Sequence, residues 1–290
     1  IQRPSLLAIV RHAESVRNKA KPGTTYFADD AARRTVQGIP DHKISLTPEG
    51  IMQAKKTGVA LRKRFGTFDY IYHSGYLRTK QTVEHILHAW PEKERKKIQI
   101  RENPFIRERA PGYTYDMTEK EAETHFPWLK EYWKTFGGFF SRPVGGESLA
   151  QVVERVYLFL NMLFHDRASK KILIITHGGT IRCFRFLLEH WSYDKALAWP
   201  PGESPKNCGL TLYSYESSTK RLLLKEYNTA EENKDIVSLP FTREEIAQRI
   251  GSTRETVVRY LHELKRLKLI DLKPNQIIIR NKKALEKILL

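Results

Sequence analysis

Two histidines stand where apolar runs stop. Leu6–Val10 is followed by Arg11 and His12, and Ile172–Ile175 is followed by Thr176, His177, Gly178 and Gly179. A short continuous apolar run reads as a strand covered on both faces. In an open α/β sheet, ligands sit beyond the carboxyl ends of such strands. Neutral imidazole is a competent phosphoryl acceptor. A guanidinium beside it makes an anion clamp. Glycines after the second histidine leave backbone N–H groups open to an anion at a helix start. One histidine at a strand end usually marks only the end of the strand. Two such histidines, one beside an arginine and one before a glycine pair, point to an anion site.

The elements that must carry these residues follow from periodicity and breakers. Residues 19–45 are polar, hold Gly and Pro, and read as a long surface loop. Thr47-Pro48-Glu49 is a helix start, with Thr as cap and Pro in the first turn, and the helix runs to about Phe65. Strand 68–74, helix 78–90 and a third strand at "KIQIREN" follow. Residues 117–140 are rich in rings and charges and read as short helices. "GGESLAQVVERVYLFLNMLFHD" (145–166) is an amphipathic helix, and "TLYSYE" with "RLLLKEYN" reads as a closing antiparallel pair. Alternating strands and helices predict an α/β domain with a mainly parallel sheet flanked by helices.

The composition bears on partners and compartment. The chain has 290 residues, and 50 Lys and Arg against 33 Asp and Glu give it a net charge of +17. That balance favours anionic partners: phosphorylated molecules, nucleic acid or acidic lipid. No apolar run reaches the roughly 20 residues that cross a bilayer. Cys183 and Cys208 are its only cysteines, in no metal-ligand spacing, which suggests a reduced compartment. No segment reads as a signal peptide, and a cytoplasmic protein is expected. No metal or cofactor is expected, since the remaining histidines show no ligand spacing.

The character of the chain changes after Asn228. The expected organisation is a catalytic domain over 1–228, a polar linker over 229–238 and a small helical domain over 239–290. Residues 240–290 hold 12 Lys and Arg against 6 Asp and Glu, a net of +6. Thr242 with Glu245 reads as a capping box. Ile246, Ala247 and Ile250 read as a buried face, and Gly251 permits a tight turn. Ser252 or Thr253 caps a second helix that turns Val257, Leu261 and Leu264 inward and Arg254, Glu255 and Arg259 outward. "IDLKPNQIIIRN" reads as a two-stranded wing.

Both parts resemble known families. "RHAESVRN" (11–18), "SGYLRTKQT" (74–82) and "THGG" (176–179) resemble, in order, the signatures of the histidine phosphatase superfamily, which includes the cofactor-dependent phosphoglycerate mutases. "QGIPDHKISLTPEG" and "GGES" also fit. The resemblance covers residues 5–228 and implies a phosphoglycerate mutase-like fold acting on a small phosphorylated substrate. It implies that His12 takes the phosphoryl group, that Arg11 and Arg78 clamp its oxygens, and that His177 completes the pocket. Asn18 and Gly178 are further phosphate contacts. The proton donor is expected on the loop after the third strand, as Glu108, with Glu102 as the alternative. Glu14 is expected to be a structural acceptor. Glu147 faces either the substrate or a helix start. The rings Tyr113, Tyr115, Phe126, Trp128, Tyr132 and Trp133 either cover the site or belong to the core. The expected reaction is monoester hydrolysis. A phosphoglycerate mutase, or a regulator that only senses a phosphometabolite, would use the same fold.

Residues 239–290 resemble the winged helix-turn-helix of the cyclic-AMP receptor and FNR type of regulators, with "STRETVVRYLHEL" as recognition helix. That resemblance implies DNA as a partner, with Arg254, Arg259 and Glu255 at base edges and Thr242, Ser252 and Thr253 at phosphates. Tight binding would call for two copies, hence a homodimer. The rival reading of this domain is dimerisation or protein contact.

Overall fold

The computed structural model describes residues 3–21, 26–197, 203–230, 236–238, 243–267, 269–273 and 276–279. The chain divides into two units, residues 1–230 and 231–290.

The first unit opens with strand β1 (Leu6–Arg11), short helices α1 (Val16–Ala20) and α2 (Asp30–Arg34), and the long helix α3 (Pro48–Phe65). The loop expected over 19–45 therefore carries a helix. Next come β2 (Tyr70–His73), α4 (Leu77–Leu87), α5 (Glu92–Arg95) and β3 (Gln99–Glu102). The ring-rich segment holds α6 (Glu119–His125) and α7 (Leu129–Phe136). Helix α8 (Leu149–Asp166), β4 (Lys171–Thr176), α9 (Gly178–Glu189) and α10 (Tyr193–Leu197) follow, and β5 (Leu210–Glu216) with β6 (Arg221–Thr229) close the unit.

The six strands form one sheet in the order β3-β2-β4-β1-β5-β6. β1 runs parallel to β4, and β2 parallel to both β4 and β3, while β5 is antiparallel to β1 and β6. The period of two along a strand explains the two cores. Leu7, Ile9, Ile172 and Ile174 face one side and pack with Phe159 and Phe184 from α8 and α9. Ala8, Val10, Leu173 and Ile175 face the other side, with Ala54, Leu61, Val83 and Ile86 from α3 and α4. Helix starts are chemically sealed: Thr47 accepts from the Gly50 N–H with Pro48 in the first turn, and Ser148 with Gln151 forms a capping box at α8.

Register brings the two histidines together. Arg11 of β1 lies directly opposite Thr176 of β4. Each histidine is the next residue, so both emerge at the same edge, where β1 also turns its other side to an antiparallel neighbour. The crevice of an open α/β sheet lies outside such carboxyl ends.

The second unit has strand β7 (Ile236–Ser238), helices α11 (Arg243–Arg249) and α12 (Arg254–Arg266), and strands β8 (Ile270–Lys273) and β9 (Gln276–Ile279). β8 and β9 pair antiparallel as the expected wing, and β7 adds to β9 as a third strand. β7 lies inside the stretch read from composition as a linker; three residues give no periodicity to read. Gly251 sits at φ +65°, a left-handed turn that suits glycine. Thr253 caps α12 by accepting from the Thr256 N–H at 3.3 Å. Ala247 and Val257 are buried, and Leu261 and Leu264 half-buried. Ile250 is 65% exposed, against expectation, because α11 ends at Arg249 and Ile250 already belongs to the turn. Arg254, Glu255 and Arg259 are exposed. Thr242 lies outside the described residues. Among the described residues, no helix is long and apolar enough to cross a membrane.

Candidate active site

A cleft of about 680 Å³ opens at the strand-end edge, lined by Arg11, His12, Asn18, Arg78, Glu108 and Gly178, among others. The backbone N–H of His12 donates to the Thr176 carbonyl at 2.8 Å, which ties it to the end of β4. Its ring stands edge-on to that of His177, with centroids 5.1 Å apart. His12 Nδ1 lies 2.8 Å from the Ala13 carbonyl oxygen, which can only accept. Nδ1 therefore carries the proton and Nε2 the lone pair. Burial, then Arg78 and Arg11, hold the His12 ring well below its ordinary pKa. His177 is fully buried and likewise depressed, first by burial and then by Arg78. Its Nε2 is 2.8 Å from the Ser74 hydroxyl, while its Nδ1 is buried with no partner.

The cations have specific holders. Arg11 donates through Nη1 to the Pro205 carbonyl at 2.6 Å, and its buried Nε has no partner. Arg78 is buried, with Nη1 on the Asp41 carbonyl and carboxylate at 2.7 and 2.9 Å, and Nη2 on the carboxylate at 3.2 Å. Asp41 also accepts from the Tyr115 hydroxyl at 2.5 Å. Burial pushes Asp41 up, but Arg78 and Tyr115 outweigh it and leave the carboxyl below its usual range. Asn18 spends its side-chain oxygen on Ser15 N–H, the Ser15 hydroxyl and Asn207 Nδ2, at 2.9–3.1 Å. Its amide nitrogen is thereby the end left for a ligand.

Glu108 lies on the loop after β3, as expected. Burial raises its carboxyl above the usual range, against the Arg109 N–H, Arg78 and Arg11. The loop is pinned from below. Arg155 of α8 donates to the carbonyls of Phe105, Arg107 and Glu108 at 2.6, 2.9 and 3.2 Å. Thr176 and Thr180 each donate to the loop at 2.7 Å, through the carbonyls of Ile106 and Arg107. Glu147 pairs with Arg155 at 3.0 Å and with Arg107 at 2.6 Å, and accepts from the Ala110 N–H at 2.9 Å. The carboxylate takes neither of its two expected roles: it is outside the cleft lining, Ser148 caps α8, and Glu147 instead secures the loop that carries Glu108. Glu102 is exposed at the end of β3, paired with Lys80 at 2.9 Å and outside the cleft lining. Glu14 accepts from the Thr47 hydroxyl at 2.7 Å, the structural bond expected of it. Of the six rings, Tyr115 alone is in the cleft lining; Tyr113 and Trp128 are 67% and 52% exposed.

Several residues of this site escaped sequence reasoning. Asp41 was legible only as part of a motif. Pro205 and Asn207, whose Nδ2 donates to the His12 carbonyl at 2.9 Å, come from a loop almost at the far end of the unit. Arg155 sits in α8 beside Glu154, its only charged neighbour in a largely apolar stretch, with nothing local to show that it reaches the Glu108 loop. Among the described residues, no group of three or more His, Cys, Asp or Glu is arranged to hold a metal ion.

His12, Arg11 and Arg78 line the cleft at the parallel strand ends, while His177 is buried behind it, edge-on to the His12 ring and outside the lining, and this arrangement defines the class. The chain belongs to the histidine phosphatase superfamily, whose branch 1 matches residues 7–228. Residues 220–288 match the Crp-like helix-turn-helix domain. Among similar proteins, Phosphoglycerate mutase-like protein AT74 of Arabidopsis thaliana is 32% identical over 209 residues, covering 66% of this chain and 60% of its own. The chain thus spans less than two thirds of that relative. A 2,3-bisphosphoglycerate-dependent phosphoglycerate mutase of Parvibaculum lavamentivorans is 28% identical, covering 67% of this chain and 85% of its own. Broad-range acid phosphatase DET1 of Saccharomyces cerevisiae is 25% identical, covering 67% and 81%. A solved mycobacterial glucosyl-3-phosphoglycerate phosphatase with VO3 shares the fold, with a TM-score of 0.58 and 20% identity over 78% of this chain and 100% of the other.

Proposed function

We propose that the first domain is a metal-independent phosphatase that hydrolyses a phosphate monoester through a phosphohistidine on His12. The observation that carries this reading is the tautomer of His12. With Nδ1–H committed to Ala13, the lone pair sits on Nε2 of a ring kept neutral, the form that attacks phosphorus. Arg11, Arg78, Asn18 Nδ2, the Gly178 N–H and His177 receive the phosphoryl oxygens, and Asp41 yields the Arg78 fork as the ester enters. His12 Nε2 forms a bond to phosphorus while the bond to the ester oxygen breaks, and protonated Glu108 gives its proton to that oxygen. Water then attacks the phosphohistidine, passes a proton to the Glu108 carboxylate, and inorganic phosphate leaves. The raised pKa of Glu108 suits a group that must begin protonated.

The test is hydrolysis of an aryl phosphate by the full chain, in EDTA, with and without His12→Ala. Release of phosphate that is lost in the variant is expected, together with an acid-labile phosphoenzyme in the wild type. Equal activity in the two proteins overturns the assignment. Transfer between positions of one phosphoglycerate, without release of phosphate, would make the protein a mutase instead.

A DNA-facing role for residues 239–290 is favoured by the exposed row Arg254, Glu255 and Arg259 on α12, beyond the Thr253 cap. In this reading Arg254 and Arg259 take guanine edges, Glu255 a cytosine amino group, and Thr242, Ser252 and Thr253 phosphates, in a cytoplasmic homodimer. Selection of bound fragments from random duplex DNA, then the salt dependence of binding, tests it. Failure to enrich any sequence, or affinity unaltered by Arg254→Ala and Arg259→Ala, refutes it. DNA binding that shifts with a phosphate ester, without turnover, would make the first domain a sensor.

A further inference from the structure

The cleft holds more positive charge than one phosphate needs. Its lining includes Arg11, Arg17, Lys21, Arg78, Arg109 and Arg182 against Glu14, Asp41 and Glu108, six bases less three acids for a surplus of three. A monoester phosphate brings about two negative charges.

The surplus is concentrated at one place. Arg17 lies on α1 and Lys21 is its C-terminal cap residue, i and i+4, so both lie along one side of the short helix. The Arg17 guanidinium stacks 3.1 Å above the Tyr115 ring, and Lys21 Nζ lies 4.5 Å from the Phe27 ring centroid. Both donate to one neutral acceptor, the Tyr115 carbonyl, Lys21 at 3.1 Å. Neither makes an ion pair among the described residues. The carboxylate of Asp41 is already engaged by Arg78 and by the Tyr115 hydroxyl. Burial, then the charge of Arg17, brings Lys21 down to about 8, against the pull of Asp116 and Asp41. Two half-buried cations packed on aromatic faces are costly without an anion. The cleft volume of about 680 Å³ also exceeds what a phosphoryl group alone would occupy.

We propose that Arg17 and Lys21, held on Tyr115, form a second anion subsite in the cleft, so that the substrate is a phosphate ester bearing a further phosphate or carboxylate. This deepens the phosphomonoester reading and rests on it. Arg11 and Arg78 take the phosphoryl group that moves, while Arg17 and Lys21 hold the group that stays. Binding remote from the chemistry holds ground state and transition state alike, so its effect belongs in KM.

The experiment uses the full chain and α,ω-alkanediol bisphosphates of increasing length. These are matched to n-alkyl phosphates and to ω-carboxyalkyl phosphates. At one length, kcat/KM should exceed that of the n-alkyl ester by about tenfold or more, carried mainly in KM. The better of the two second anions identifies phosphate or carboxylate. The advantage should collapse in Arg17→Gln and in Lys21→Gln, which keeps most of the stem should the arginine variant not fold. It should also decline as pH rises through about 8, where Lys21, facing Arg17, Tyr115, Asp41 and Asp116, loses its charge. No advantage at any length, or one that survives both substitutions, overturns the proposal. If no ester is turned over, the phosphatase reading fails but the subsite is still testable. Calorimetric binding of the matched esters to His12→Ala should then show the same preference, lost in Lys21→Gln; equal binding overturns the subsite.

Discussion

Gly179→Ala separates the position of the proposed acid from the stability of the fold. A methyl placed on Gly179 would lie 2.7 Å from Glu108 Oε1, 3.6 Å from Arg109 Cβ and 3.7 Å from Glu108 Cδ. Ordinary contact begins at 3.4 Å, so the carboxylate oxygen must retreat by at least 0.7 Å, the difference of 3.4 and 2.7. What yields is the end of a flexible side chain, not backbone, so the fold should survive. Alanine also suits a helix better than glycine by about 0.5–1 kcal/mol, with the lower figure fitting the first turn. The melting midpoint should therefore stay level or rise by about 1–2 °C. Catalysis should not. A misplacement near 1 Å costs about 10²-fold. That loss should fall on kcat/KM for an alkyl phosphate, whose leaving oxygen needs a proton. In kcat/KM, which stops short of the later hydrolysis where Glu108 takes the proton of water, it should be small for p-nitrophenyl phosphate, whose leaving group departs as an anion. Steady-state kinetics on both esters, beside a thermal melt, read all three quantities. Full activity on the alkyl ester with an unchanged melt would refute the placement of Glu108 as the acid. Equal losses on both esters would mean that the methyl obstructs the phosphoryl pocket instead.

Three further outcomes follow from the same geometry. Because burial raises the Glu108 pKa, kcat/KM for an alkyl ester, which reports the half-reaction where Glu108 is the acid, should fall as the carboxyl ionises with rising pH; Glu108→Gln should lose this descending limb along with about 10²–10⁴ in rate, seen in a pH–rate profile. Arg155→Met removes one partner of a buried pair and three donors to the loop of Glu108. The expected cost is about 3 kcal/mol, the low end for such breaks since Arg107 still holds Glu147 at 2.6 Å, measured by denaturant unfolding. Gly58→Ala would set a methyl 2.3 Å from the Ile86 carbonyl oxygen and 2.9 Å from its Cα, where α3 meets α4. Backbone cannot move aside, so the protein should lose about 1–3 kcal/mol despite the better helix former, and a rise in the melting midpoint would contradict the close approach.

Much of the first unit was legible because its signals are local. Apolar runs of four or five residues gave β1 and β4, and Thr47-Pro48 marked the start of α3. The loop over 19–45 and the linker over 229–238 were read too plainly: α2 and β7 are too short for a period to show. Ile250 fitted a helical spacing on paper, but a spacing argument holds only while the helix continues. Glu147 was open to a substrate-side or a helix-start role and took neither, because its partners, Arg155 and the Glu108 loop, come together only in the fold.

Residue types and order by themselves determined the motif set: His12 beside Arg11, Arg78 opening α4, His177 before two glycines, and an exposed Arg254–Arg259 row on a capped helix. Each depends on neighbours within a few positions, which is the range over which backbone sterics, capping and periodicity act. Tertiary structure alone decided what those residues touch. Asp41 meets Arg78 across 37 positions, Tyr115 reaches Asp41 across 74, and Asn207 reaches His12 across 195. No local rule links such pairs. They meet because β1, β2 and β4 align their carboxyl ends at one edge of the sheet, and because buried charges there must find partners wherever the chain supplies them. The cations that remain short of anionic partners, Arg17 and Lys21, are likewise visible only once the fold has placed the carboxylates elsewhere.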